Sequence, residues 1–172
     1  FKQKTAYEIY QCDWSSDVCS SDLVFGIWYG KGPGVDRSGD VLKHANYAGT
    51  SAHGGVVALA GDDHMAKSST TAHQSEPALI AAGLPVIHAA SVQEYLDLGL
   101  HAFALSRYSG LWVSFKVLSE TVDSSASVHV DPHRVDIRLP TDFALPPDGV
   151  HIRWPDDWVG QERRVFTVKH PA

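Results

Sequence analysis

Val56-Val57-Ala58-Leu59-Ala60-Gly61-Asp62-Asp63-His64-Met65-Ala66-Lys67-Ser68-Ser69-Thr70 is the stretch on which the fold turns. Five apolar residues without polar alternation read as a strand buried on both faces, the habit of parallel sheets covered by helices. The change of texture at Gly61 marks the carboxyl end of that strand, where open α/β sheets place their ligands. A second stretch has the same shape: residues 24–29 are apolar and run into Gly30-Lys31-Gly32-Pro33-Gly34-Val35-Asp36-Arg37-Ser38-Gly39-Asp40. Two polar loops at the mouths of two adjacent parallel strands define the first place to seek function.

Working outward, residues 40–47 read as a helix, and the Ala-Gly-Thr-Ser-Ala-His-Gly-Gly stretch at 48–55 breaks it. Residues 77–82 form a short helix stopped by Gly83, and residues 84–89 a third strand. Ser91, with Glu94 three residues on, is a capping box for a helix over 92–106 whose apolar stripe is Val92, Tyr95, Leu96, Leu100, Phe103 and Ala104. Residues 111–117 supply a fourth strand. Strands alternating with helices predict an α/β fold with a mainly parallel, doubly wound sheet over residues 24–127. Beyond Ser127, residues 128–130 and 135–139 are expected to pair as a small antiparallel unit around Asp131-Pro132. Pro140, Pro146, Pro147 and Pro155 then predict an irregular extension, with Arg153-Trp154-Pro155 read as linker and 128–172 as a separate small segment.

Composition narrows the function. The net charge is −6 and no basic cluster occurs, which argues against nucleic-acid binding. No apolar run reaches the roughly 18 residues of a membrane span and no signal-peptide pattern opens the chain, so a cytoplasmic setting is expected. Residues 1–23 lack any sustained period and resemble translated sequencing-adapter read-through, so they are expected not to be native. Both cysteines, Cys12 and Cys19, lie there. Iron–sulfur clusters and cysteine-based zinc sites need thiolates, so residues 24–172 cannot ligate one.

In the first loop Gly32, Pro33 and Gly34 would let backbone N–H groups approach a ligand, with Lys31 and Arg37 as charged donors; a tight strand-to-helix turn with exposed charges is the alternative. The second loop carries Asp62, Asp63, His64, Lys67, His73 and Glu76 among Ser68, Ser69, Thr70 and Thr71. Neighbouring residues on extended backbone point apart, so Asp62 and Asp63 are not expected to act as a carboxylate pair. His64 could donate a proton near neutral pH. Ser68 and Ser69 could offer hydroxyls to a carboxylate beside Lys67. A rival reading is a metal-dependent hydrolase with Asp62, Asp63, His64 and His73 as ligands, although such sites draw on several strand ends. A third is a non-enzymatic binding module. The remaining histidines show no metal-ligand spacing, and Tyr95, Phe103, Trp112 and Phe115 are spaced as core.

Several ordered motifs carry a resemblance: residues 25–37, Lys43-His44-Ala45-Asn46, His53-Gly54-Gly55, Gly61-Asp62-Asp63-His64, Lys67-Ser68-Ser69-Thr70, His73-Gln74-Ser75-Glu76, residues 92–97 and Ser106-Arg107-Tyr108-Ser109-Gly110. Over about residues 24–162 the chain resembles the large fused bacterial indolepyruvate ferredoxin oxidoreductases, members of the thiamine-diphosphate-dependent 2-oxoacid:ferredoxin oxidoreductases. The resemblance implies the pyrimidine domain of a thiamine-diphosphate-binding fold, truncated by comparison with the family. It implies CoA-dependent oxidative decarboxylation of aryl-pyruvates with electrons passed to ferredoxin, the thiazolium ylid serving as electron sink. It further implies a homodimer, cofactor contacts from Lys31, Gly32, Pro33, Gly34, Asp36 and Arg37, and substrate contacts from Asp62, Asp63, Lys67, Ser68, Ser69, His73 and Gln74, with His64 a candidate catalytic group.

Other parts of the family pattern are missing. The glutamate that activates the ylid is expected upstream of residue 24, and Glu8 lies in sequence without resemblance. Gly61-Asp62-Asp63 is not the Gly-Asp-Gly that begins a magnesium-diphosphate motif, and Asn46 is the one asparagine in the chain. The resemblance therefore implies that magnesium, diphosphate and the iron–sulfur (4Fe-4S) clusters are held by other domains of a longer polypeptide, and that this chain alone is inactive.

Overall fold

The computed structural model describes residues 25–29 (backbone only), 31–153 and 156–172; the adapter-like residues 1–23, Val24 at the start of the first expected strand, Gly30 and the Trp154-Pro155 part of the expected linker lie outside the described residues. Four strands, β1 (Phe25–Tyr29), β2 (Val56–Asp62), β3 (Val86–His88) and β4 (Val113–Leu118), form one sheet in the order β1-β2-β4-β3. Every pairing is parallel, with Phe25 opposite Val56, Val57 opposite Val113 and Val86 opposite Ser114. The connections are α1 (Gly32–Arg37) and α2 (Gly39–Ala48), then α3 (Glu76–Ala81), then α4 (Val92–Ser109).

The strand order dictates which face each helix covers. Right-handed crossovers that keep moving one way across a sheet stay on one face, and a reversal changes face. From β1 to β2 to β3 the chain advances, and from β3 to β4 it turns back. Accordingly Val35 of α1, Leu42 of α2 and Leu79 of α3 pack with Val56, Ala58, Ala60 and Trp112 on one side. Ala102 and Tyr95 of α4 pack with Val57, Val113 and Phe115 on the other. The mixed α/β class and its parallel sheet thus agree with the sequence pattern, as do Tyr95, Phe103, Trp112 and Phe115 as core residues.

Local details depart from expectation where neighbours outweigh pattern. The first glycine-rich segment is not a loop: Pro33 sits in the first turn of α1, where its missing N–H costs nothing, and helix runs from Gly32 to Arg37. Strand β3 is shorter than residues 84–89 and, among the described residues, pairs with β4 alone. Helix α4 starts at the expected cap, Ser91 Oγ accepting from Glu94 N at 3.3 Å, and ends at Gly110 in the left-handed region. Its buried line is Tyr95, Leu98, Ala102 and Phe103, whereas Leu96 and Leu100 are 48% and 53% exposed.

The predicted antiparallel pair does not form: no strand occurs over residues 128–139. The extended backbone at His129 is instead held by the Gln93 side chain of α4, His129 N donating to Gln93 Oε1 at 2.7 Å and Gln93 Nε2 to His129 O at 3.3 Å. Nor is the chain end a mere linker. A short helix α5 (Ser119–Val122) follows β4, and α6 (Trp158–Arg164) continues into a π-helical turn, Val165–Lys169, closed by His170 N to Val165 O at 2.9 Å. Val165 packs with Tyr47 and Leu111, and Tyr47 Oη donates to Glu162 Oε1 at 3.0 Å. Gly49 and Gly110, which this tail covers, precede β2 and β4, so the tail seals the amino-terminal end of the sheet and leaves the carboxyl ends to the two polar segments.

No helix among the described residues is long and apolar enough to cross a membrane.

Candidate functional site at the strand ends

The parallel ladder sets the site. Ala60 lies opposite Lys116 and Asp62 opposite Leu118, and facing residues of a ladder share a side of the sheet. Asp62 and Lys116 therefore both project toward the α1–α3 face, beside the start of α3. Lys116 is fully buried, and a buried ammonium must be paired. It donates to Glu76 Oε1 at the first turn of α3, lies 3.2 Å from Asp62 Oδ2 and 2.7 Å from His64 Nε2. Asp62 in turn accepts from Ser75 N at 2.9 Å and Ser75 Oγ at 2.5 Å, which fastens the end of β2 to the entry of α3. Burial pushes the Glu76 carboxyl up, but the Lys116 hydrogen bond and charge, with its own backbone N–H, outweigh it and the net shift is downward. Its Oε2 is buried without a hydrogen-bond partner among the described residues.

Asp63 turns the other way. Its Oδ2 accepts from Ser68 N at 2.9 Å and its Oδ1 from Lys67 N at 2.8 Å, and Lys31 Nζ lies 3.1 Å from Oδ2. The Ser68 backbone N–H, aided by Lys67 N–H and Lys31, overcomes desolvation and holds this carboxyl well below the usual range. Lys31 also donates to Ser68 Oγ at 2.5 Å and Ser69 Oγ at 2.7 Å. One lysine from the first segment thus clamps the second. Gly32 reinforces the join: a Cβ there would fall 2.8 Å from His73 Cβ, so only glycine allows this approach.

The sequence-predicted residues divide accordingly. Lys31, Gly32, Asp62, Asp63, His64, Ser68, Ser69 and His73 come together. Lys31 donates to Asp63, Ser68 and Ser69 with its side chain 38% exposed, so it clamps the second segment to the first. Pro33, Gly34, Asp36 and Arg37 are exposed on α1, and Gln74 is exposed. Lys67 faces outward with Asp123 Oδ2 at 3.7 Å. The expected divergence of Asp62 and Asp63 is seen. Asn46 is structural: it donates to Ala82 O and Gly83 O and accepts from Trp112 N. Lys116 was missed, although a lone lysine inside Val113-Ser114-Phe115-Lys116-Val117 is a signal that a buried charge needs partners.

Asp62, His64 and Glu76 each bring an oxygen or nitrogen within 4.8 Å of the others, the spacing of a metal ligand set. Neither Asp63 nor His73 belongs to it. Lys116 Nζ already touches all three groups, and an ammonium among them opposes a divalent cation by like-charge repulsion.

The chain matches no protein-family model, no curated protein and no solved structure.

Proposed function

We propose that the chain belongs to a thiamine-diphosphate-dependent 2-oxoacid:ferredoxin oxidoreductase, as its pyrimidine-side α/β domain. Within that class the reading is an indolepyruvate ferredoxin oxidoreductase, which takes an aryl-pyruvate and CoA to an acyl-CoA with electrons to ferredoxin in the cytoplasm. The observation that carries it is the Lys31 clamp: two motifs on which the resemblance rests, over thirty residues apart in sequence, meet at neighbouring strand ends. A parallel sheet with helices on both faces puts its ligand there.

The described residues fit a supporting role and not the diphosphate anchor. The two aspartates at the end of β2 are committed: Asp62 to Ser75 and Lys116, Asp63 to backbone N–H groups and Lys31. Neither is left to hold magnesium. When bound, thiamine diphosphate would supply the carbanion-stabilising chemistry, and this chain would contribute side chains beside it. On this reading the Ser68 and Ser69 hydroxyls, which Lys31 joins, are offered to the 2-oxoacid, and His64 beside Lys116 is the second group that meets it.

The test is the product of the uninterrupted reading frame that contains this chain, assayed for CoA-dependent reduction of a viologen dye with indolepyruvate. Dye reduction that requires both supports the reading. A frame without an upstream glutamate, a Gly-Asp-Gly…Asn segment and cysteine clusters would remove it.

A further inference from the structure

Lys116 does more than neutralise Asp62 and Glu76. An ammonium has three donors and no acceptor, and here its three neighbours are Glu76 Oε1, Asp62 Oδ2 and His64 Nε2. A nitrogen that accepts from Lys116 carries no proton. The neutral His64 ring must therefore hold its proton on Nδ1, because the tautomer follows the bond made by the other nitrogen. His64 is only half-buried, and Nδ1 has no hydrogen-bond partner among the described residues.

We infer that Lys116 is a positioning residue that fixes His64 as a hydrogen-bond donor, offering Nδ1–H to a ligand's carbonyl oxygen. A neutral imidazole held in this way polarises a carbonyl without transferring a proton. The surroundings select the acceptor: two carboxylates and one ammonium leave an excess negative charge, which repels a carboxylate and tolerates a ketone oxygen. The inference deepens the proposed function by assigning His64 to the ketone, not the carboxylate, of the 2-oxoacid.

The experiment is proton–nitrogen correlation NMR under magic-angle spinning, which tolerates self-association, on the full chain labelled with nitrogen-15 histidine, at a pH where the ring is neutral, with His64 assigned by loss of its signals in His64→Gln. Wild type should show a protonated Nδ1 and an unprotonated Nε2. In Lys116→Met the Nδ1–H fraction should drop from about nine-tenths to below about one half, while Lys116→Arg, which keeps a donor, should restore it. An Nε2–H ring in wild type overturns the inference whether or not any variant folds. Added to the product of the uninterrupted reading frame with its coenzyme bound, indolepyruvate should move the His64 Nδ1 resonance. A fixed tautomer indifferent to indolepyruvate there overturns the ketone assignment, whereas dye reduction judges the enzyme class.

Discussion

Within the Lys116, Asp62, Glu76 and His64 set, the fully buried Lys116 and Asp62 cannot be removed cheaply. Lys116→Met would leave Asp62 buried with its ammonium gone, and breaking a buried pair in this way costs roughly 3 kcal/mol; urea unfolding should show that loss, and a change under about 0.5 kcal/mol would contradict the buried pairing. Asp63 predicts an acid response. Its folded carboxyl titrates below its ordinary 3.8, so the unfolded chain takes up the proton first. The stabilisation is fully present above that value and is lost as pH falls toward the folded one. Asp63→Asn should therefore lessen the acid sensitivity of unfolding below about pH 4, and an unchanged slope would count against the Ser68, Lys67 and Lys31 contacts. At this scale the sequence was half legible. Polar residues after an apolar run marked Asp62, Asp63 and His64, and the period of extended backbone foretold that the two aspartates diverge. Lys116 lay in an apolar strand, where only the register with β2 reveals its partners, and Glu76 read as one more loop carboxylate until α3 turned it inward.

Helices and strands were more legible than their roles. Ser91 and Gly110 bounded α4 because capping is local chemistry, whereas the exposure of Leu96 and Leu100 depends on which face meets the sheet. The tail's placement was illegible because the contacts that seat it are long-range: Lys169 reaches Tyr47 O and Gly110 O, and Gln93 holds His129 where residues 128–130 form no strand. Two substitutions test these joints. Gly32→Ala should cost about 1–3 kcal/mol by forcing His73 off α1, measured by thermal or urea unfolding, and a neutral result would deny the close approach. Burial, with Arg164 nearby, lowers the Lys169 ammonium to about 8. The fold then binds fewer protons than the unfolded chain between that value and its ordinary 10.5, so stability should rise over this window. The gain should be no more than roughly 3 kcal/mol and should vanish in Lys169→Met. A parallel rise in the variant would place its origin elsewhere.

For the molecule as a whole, the tail closes one end of the sheet while both candidate segments gather at the other. Among the described residues β1 pairs with β2 alone, which leaves an open edge. Open edges recruit further strands, so the chain from residue 24 onward should self-associate in sedimentation as its concentration rises, and a species that stays monomeric at every concentration would contradict this. The α/β class follows from the alternation of strands and helices, but the enzyme class rests on the resemblance and on the strand ends meeting through Lys31. The most direct measurement is dye reduction by the product of the complete reading frame, with indolepyruvate and CoA present or withheld one at a time. CoA-dependent turnover of indolepyruvate, with His64→Gln lowering kcat, is the predicted result. A product that turns over no 2-oxoacid, or one whose turnover ignores His64, would contradict a functional centre at these strand ends.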